Sequence, residues 1–202
     1  MNSLNVNPAV KPELDLGFLP AVLWNKAYRE AVAAAPGKLD IVIALERANG
    51  AVSTFKTAIF AHAGKQAEWN LKYVERIVKF LLWMKGGYRV TIAGCDALAK
   101  ELAAIYAPDG VREFDYEFMG ERVYGKTFEI VAKPLSAAPV SKEIQVCLGG
   151  HLDGCRIGFD LGGSDRKCAA VIDGKVVHTE EVVWDPYFQK DPEYHRAGIL
   201  DS

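Results

Sequence analysis

Arg156-Ile157-Gly158-Phe159-Asp160-Leu161-Gly162-Gly163-Ser164-Asp165-Arg166-Lys167-Cys168 places an apolar run, a carboxylate and a glycine pair within one short span. Ile157 and Phe159 alternate with Gly158 and Asp160, which is the period-2 pattern of a strand. That strand is expected to pair with Cys168 to Ile172, which ends in Asp173-Gly174, a dipeptide preferred in two-residue hairpin turns. Lys175 to Val183 supplies a third strand, with Val176, His178, Glu180 and Val182 alternating with Val177, Thr179, Glu181 and Val183. Three antiparallel strands are predicted.

The turn between the first two strands carries chemistry as well as shape. Gly162 and Gly163 allow positive φ and a close backbone approach, so that successive N–H groups can converge on a phosphate. Ser164 adds a hydroxyl donor. Asp160, at the end of the strand, is placed to hold a hydrated Mg²⁺, an ion that takes a carboxylate or two together with waters and phosphate oxygens. The same residues also suit a plain meander, because Gly-Gly and Asp-Gly are ordinary turn residues that need no ligand.

Asp160-Leu161-Gly162-Gly163-Ser164, followed by Val171-Ile172-Asp173-Gly174-Lys175-Val176-Val177, resembles the first phosphate motif of the actin-like ATPase and sugar kinase superfamily. Within it the stretch is most similar to the ROK family, which holds bacterial glucokinases, other sugar kinases and sugar-responsive repressors. The likeness runs from Cys155 to Trp184. It implies a ribonuclease-H-like α/β lobe, ATP and Mg²⁺ as cofactors, and phosphoryl transfer to a sugar hydroxyl. By the same resemblance Asp160 orients the hydrated Mg²⁺, Gly162 and Gly163 give N–H groups to the ATP phosphates, and Ser164 adds its hydroxyl. The family's catalytic aspartate, sugar-binding residues and Cys-rich zinc motif are expected beyond Ser202, so the chain reads as the N-terminal part of such a kinase, inactive alone. The family usually has Thr then Lys where this chain has Ser164 then Asp165. Alternation along a strand puts Arg166, not Lys167, on the Ser164 side. The other reading is a non-catalytic binding or scaffold module with a remnant hairpin.

Composition bounds the rest. At 202 residues and 50% hydrophobic, the chain has apolar material for one large or two small domains. A formal charge of −2 and the lack of a Lys/Arg run leave no electrostatic footprint for nucleic acid. Met1 to Val10 has neither the basic nor the apolar region of a secretory signal, and no apolar stretch reaches the roughly 18 residues of a membrane span, so a cytoplasmic protein is expected. The 4 cysteines read as reduced thiols. Cys147, His151 and Cys155 fall at four-residue steps like ligands on a helix, but Gly149, Gly150 and Gly154 argue for a linker instead.

Periodicity divides the remainder. Residues 1–17 read as an N-terminal arm and 18–133 as an α/β accessory domain. Within it are a helix from Phe18 to Ala35 and a hairpin around Asn49-Gly50 that joins Leu39–Glu46 to Val52–Ala61. A long helix from Gln66 to Lys85 follows, then a strand near Tyr88–Ala93, a helix near Cys95–Tyr106 and a strand near Lys126–Ala132. The long helix carries two apolar stripes, one with Leu71, Val74, Val78 and Leu81, the other with Tyr73, Ile77, Phe80 and Met84, and both ask for burial. The order of hairpin, helix, strand and helix is reminiscent of a degenerate copy of the kinase lobe. Asp115, Glu117 and Glu121 read as an exposed charged loop, and His62 as an isolated residue with no orienting carboxylate. Residues 134–154 form the expected linker, 155–184 the three-stranded phosphate unit, and 185–202 a loose tail. Uncovered strands in that unit predict self-association through an exposed edge.

Overall fold

The computed structural model describes residues 4, 6, 8–143 and 149–202, and the chain divides into two units, Met1–Gln145 and Val146–Ser202. The first is organised by β1 (Leu39–Glu46), which lies between β2 (Val52–Ile59) and β3 (Arg89–Ala93) in a sheet of order β2-β1-β3-β4. β1 pairs antiparallel with both neighbours, and β4 (Glu129–Lys133) pairs parallel with β3. The hairpin closes where expected: Asn49 and Gly50 both take left-handed φ, near 61° and 68°. The parallel pair is joined by the connection that contains α3 (Asp96–Ile105), as parallel pairing requires.

Alternation in β1 sends Ile41, Ile43 and Leu45 to one face, where they meet α1 (Ala21–Ala34), α2 (Gly64–Lys85) and α3. Tyr28, Tyr73, Leu82, Ile92, Leu98 and Leu102 are fully enclosed there. Each such aliphatic side chain contributes about 1.5–3 kcal/mol of burial. Val42, Ala44 and Ala93 face the opposite side and are also buried. A short 3₁₀ turn, Leu135–Ala137, lies against β1 and β3.

The expected α/β class is what the structure has, with several local differences. Pro20 is not in the first turn of α1 but caps it. Of the two stripes on α2, Tyr73 from the second is buried but Phe80 and Met84 stand exposed. Three helices fill the apolar face of the four-stranded sheet, and among the described residues nothing covers Phe80 and Met84. The charged segment is not an exposed loop. It folds as α4 (Glu113–Glu117), continues as a π-helical turn over Phe118–Arg122, and buries Asp115. Nor does the first unit repeat the meander of the second, because β3 returns on the far side of β1 rather than beside β2.

The stretch expected as linker from 134 to 154 is partly pinned to the first unit. Val52 and Lys142 exchange both backbone hydrogen bonds, at 3.0 and 2.8 Å. The Glu143 carboxylate accepts from Arg47 at 2.5 Å, Ser53 at 2.6 Å and Lys85 at 2.8 Å. Cys147, one of the three residues at four-residue steps, lies outside the described residues.

The second unit is a three-stranded antiparallel sheet of β5 (Cys155–Leu161), β6 (Asp165–Ile172) and β7 (Lys175–Val183), in order β5-β6-β7. The expected pairing is present, with a bulge between Ala170 and Val171. Residues 185–202 are not a loose tail, since α5 spans Pro192–Asp201. Its start follows from local sequence: the Asp191 carboxylate accepts the Glu193 N–H at 2.9 Å, and Pro192 occupies the first turn. The helix lies so close to Trp184 that a Cβ on Gly198 would stand 3.0 Å from the indole ring.

Candidate phosphate-binding turn

The turn that joins β5 to β6 is tight. The Gly162 N–H donates to the Asp165 carbonyl at 2.9 Å, and the Gly162 carbonyl accepts from the Trp184 indole N–H at 2.8 Å. A Cβ at Gly162 would stand 2.8 Å from the Asp165 carbonyl oxygen, so glycine is needed there for close approach. The expected positive φ is absent: neither Gly162 nor Gly163 takes it. The Gly162 N–H closes the hairpin, which leaves Gly163 and Ser164 at the open tip, with no neighbour within 4 Å of a Cβ on Gly163.

Register decides which side chains share a face. Asp160, Lys167 and Glu181 are direct cross-strand partners, so they stand in one row beside the turn. Lys167 donates to the Asp165 carboxylate, and its ammonium lies 3.6 Å from Glu181. The Ser164 hydroxyl donates to the same Asp165 carboxylate at 3.0 Å. Strand alternation predicted Arg166 as the cation on the Ser164 side, and that is corrected here. Ser164 belongs to the turn rather than to β6, so its hydroxyl reaches the face of Asp165 and Lys167. Those two donors, the Lys167 ammonium first and the Ser164 hydroxyl second, hold the Asp165 carboxyl below its ordinary range. Asp165 in return raises Lys167.

Arg166 points to the opposite face and is 5% exposed. It donates to Asp201 and Ser202 at the end of α5 and lies 3.7 Å from Glu180. A cation at a helix C-terminus meets the negative end of the helix dipole. Arg166 therefore fastens α5 to the sheet behind the turn. β5 shows the uncovered surface expected of it, with Ile157 and Phe159 at 65% and 48% exposure.

Other candidates resolve as structure. The Gly94 N–H, at the junction of β3 and α3 where an anion could be held, donates instead to the Lys133 carbonyl at 3.0 Å. Asp115 accepts from both Lys79, at 2.8 Å, and the Trp83 indole, at 2.6 Å, so its carboxylate ties α4 to α2. His62 is not isolated. Its Nε2 stands 3.2 Å from Glu101, within ion-pair distance though not aligned as a hydrogen bond, and its Nδ1 lies 3.3 Å from the Asn70 amide nitrogen. Asn70 also grips both backbone groups of Phe60 and accepts from the Tyr28 hydroxyl at 2.5 Å, so the Asn70 amide anchors this buried cluster while His62 Nε2 makes no hydrogen bond. Among the described residues no three His, Cys, Asp or Glu side chains gather as a metal site, and no helix is long and apolar enough to cross a membrane.

No family model, curated protein or solved structure matches the chain.

Proposed function

We propose that residues 155–202 open the nucleotide-binding lobe of a ROK-like, ATP-dependent sugar kinase, with the β5–β6 turn as its Mg²⁺-ATP phosphate contact. The observation that carries this reading is the row Asp160, Lys167 and Glu181 set beside a glycine turn with a serine hydroxyl at its tip. A carboxylate, an ammonium, a hydroxyl and the free N–H groups of the turn tip are the groups that phosphoryl transfer uses to position phosphates and neutralise their charge. Asp160 fits Mg²⁺ as a single carboxylate acting through water, with phosphate oxygens completing the shell. When bound, the ion neutralises the developing phosphate charge. Lys167 adds a point charge, Ser164 a donor, and the Gly163 and Ser164 backbones approach without obstruction.

Sugar binding and proton abstraction belong, on this reading, to other parts of the kinase, and the first unit is an accessory domain. Among the described residues the outer edges of β5 and β7 have no strand partner, and together with the exposed Ile157 and Phe159 they support self-association through a strand edge. Sedimentation as a monomer at high concentration would remove that part of the reading.

Two observations favour the second reading, a binding or scaffold module with a remnant hairpin: the Gly162 N–H is spent within the turn, and Lys167 is already paired. Calorimetric titration with Mg²⁺-ATP separates the two. Binding that Asp160→Ala and Lys167→Ala each weaken by about tenfold or more supports the phosphate site, since loss of one charge partner is of that order. Heat that is the same in all three proteins, or none up to millimolar nucleotide, leaves the scaffold reading.

A further inference from the structure

We propose that the Asp165 carboxylate occupies the anion position of the turn, as an internal stand-in that an incoming phosphate must displace. The inference rests on the phosphate reading given above and says what controls that site. Ser164 and Lys167 are the two side-chain donors at the tip of the hairpin, and both are directed at Asp165, the hydroxyl at 3.0 Å and the ammonium in direct contact. A carboxylate held by a hydroxyl and an ammonium has the donor arrangement that a phosphate oxygen would take.

Asp165 can leave without loss of the turn. What closes the hairpin is its backbone carbonyl, which accepts the Gly162 N–H at 2.9 Å, whereas among the described residues the carboxylate bonds only to Ser164 and Lys167. Rotation about its side-chain bonds frees both donors while the hairpin stays shut. Until then the face is hostile to anions: Asp160, Asp165 and Glu181 set three carboxylates against the one ammonium of Lys167. A free phosphate meets net negative charge there, whereas one complexed with a divalent cation brings its own neutralisation. Asp165 thereby sets the site's preference for metal-complexed phosphate and holds its affinity down.

The test is calorimetric titration of the whole chain with Mg²⁺-ATP, comparing wild type, Asp165→Asn and the double variant Asp165→Asn/Lys167→Ala. The indole N–H resonance of Trp184, which is bonded to the Gly162 carbonyl, reports that the turn is intact in each. The expected result is binding at least about tenfold tighter in Asp165→Asn, the order expected on removing a like charge within a few ångströms, and loss of that gain in the double variant. Equal affinity in wild type and Asp165→Asn would overturn the inference and leave the phosphate reading standing. Weaker binding in Asp165→Asn would also overturn it, by making Asp165 a ligand of the metal complex. No binding in any variant, with the Trp184 resonance unmoved, would remove the phosphate reading and this inference together.

Discussion

The two units are built from sequence patterns of similar quality and end in different physical states. In the first, β1 is flanked by strands on both sides and covered on both faces, so Ile43, Leu45, Val42 and Ala44 are all buried. In the second, strands as regular as these are met by one ten-residue helix. Among its described residues Cys168 is the one buried hydrophobic side chain, beside the buried Arg166. Alternation tells which residues share a face but not whether anything lies on that face. One unit is thus held by apolar burial, the other by register, turn closure and a few ionic bonds.

That contrast is best broken with paired truncations. Leu82 is fully enclosed, so Leu82→Ala is expected to cost about 2–5 kcal/mol in the first unit. Ile157, at 65% exposure, is expected to cost no more than about 0.5 kcal/mol when changed to Ala. Amide exchange read separately over the two units measures both, because the chain need not unfold in one step. A large cost for Ile157→Ala would show that β5 is covered and that the comparison is mistaken.

A smaller effect is expected where polar contacts replace a core. Arg166→Leu removes the cation that holds Asp201 and Ser202 at the end of α5 and should release that helix at a cost of about 0.5–1.5 kcal/mol, the net range for hydrogen bonds whose remaining partners can turn to water, as the exposed Asp201 can. Loss of amide protection over 192–201, with β1 and β3 unchanged, is the expected readout. Protection of α5 that survives the change would assign its docking to Trp184 and Tyr194, whose rings stack at 6.3 Å.

The same difference explains what the sequence disclosed. Turn chemistry at Asn49-Gly50 and Asp173-Gly174 and period-2 runs located all three strands of the second unit and the first hairpin, since these signals are local. The long helix and its ending at Gly86 were legible for the same reason. What remained hidden depended on distant partners. Asp115 looks like one charge among many until Lys79 and Trp83, more than thirty positions earlier, are brought to it by the packing of α4 on α2. Glu101 gives no sign in sequence of standing beside His62. At the candidate site, Asp160, Gly162, Gly163 and Ser164 were nominated from sequence and sit together at the turn. Alternation places Lys167 on the wrong face because it extends the strand through Ser164, whereas β6 begins at Asp165. The α5 start was locally visible in Asp191-Pro192, but its weak apolar pattern gave no reason to dock.

The smallest effect expected is a titration, and it sharpens the comparison because each unit has an exposed carboxyl that its donors hold below the ordinary range. In the first, Lys85, then Ser53 and Arg47, hold the Glu143 carboxyl down from 4.5 to about 2. A carboxyl depressed in the folded state adds stability that is present in full above its unfolded value and lost as pH falls through its folded one. The contribution of this clasp should therefore be full above about 4.5, decline as pH falls below that, and be gone once pH has passed below about 2. Glu143 is 36% exposed, so solvent screens much of this and the change is local. It should appear as a shift of the Lys142 and Val52 amide signals, which report the bridge next to it, and Glu143→Gln should abolish the shift. In the second unit the depressed Asp165 would open in the same sense as pH falls, freeing Ser164 and Lys167 rather than a chain segment. Acid thus loosens a tether in one unit and exposes two donors in the other. Amide signals at Lys142 that do not move through that range would show that the Val52 bridge, and not the Glu143 clasp, holds the chain at Lys142.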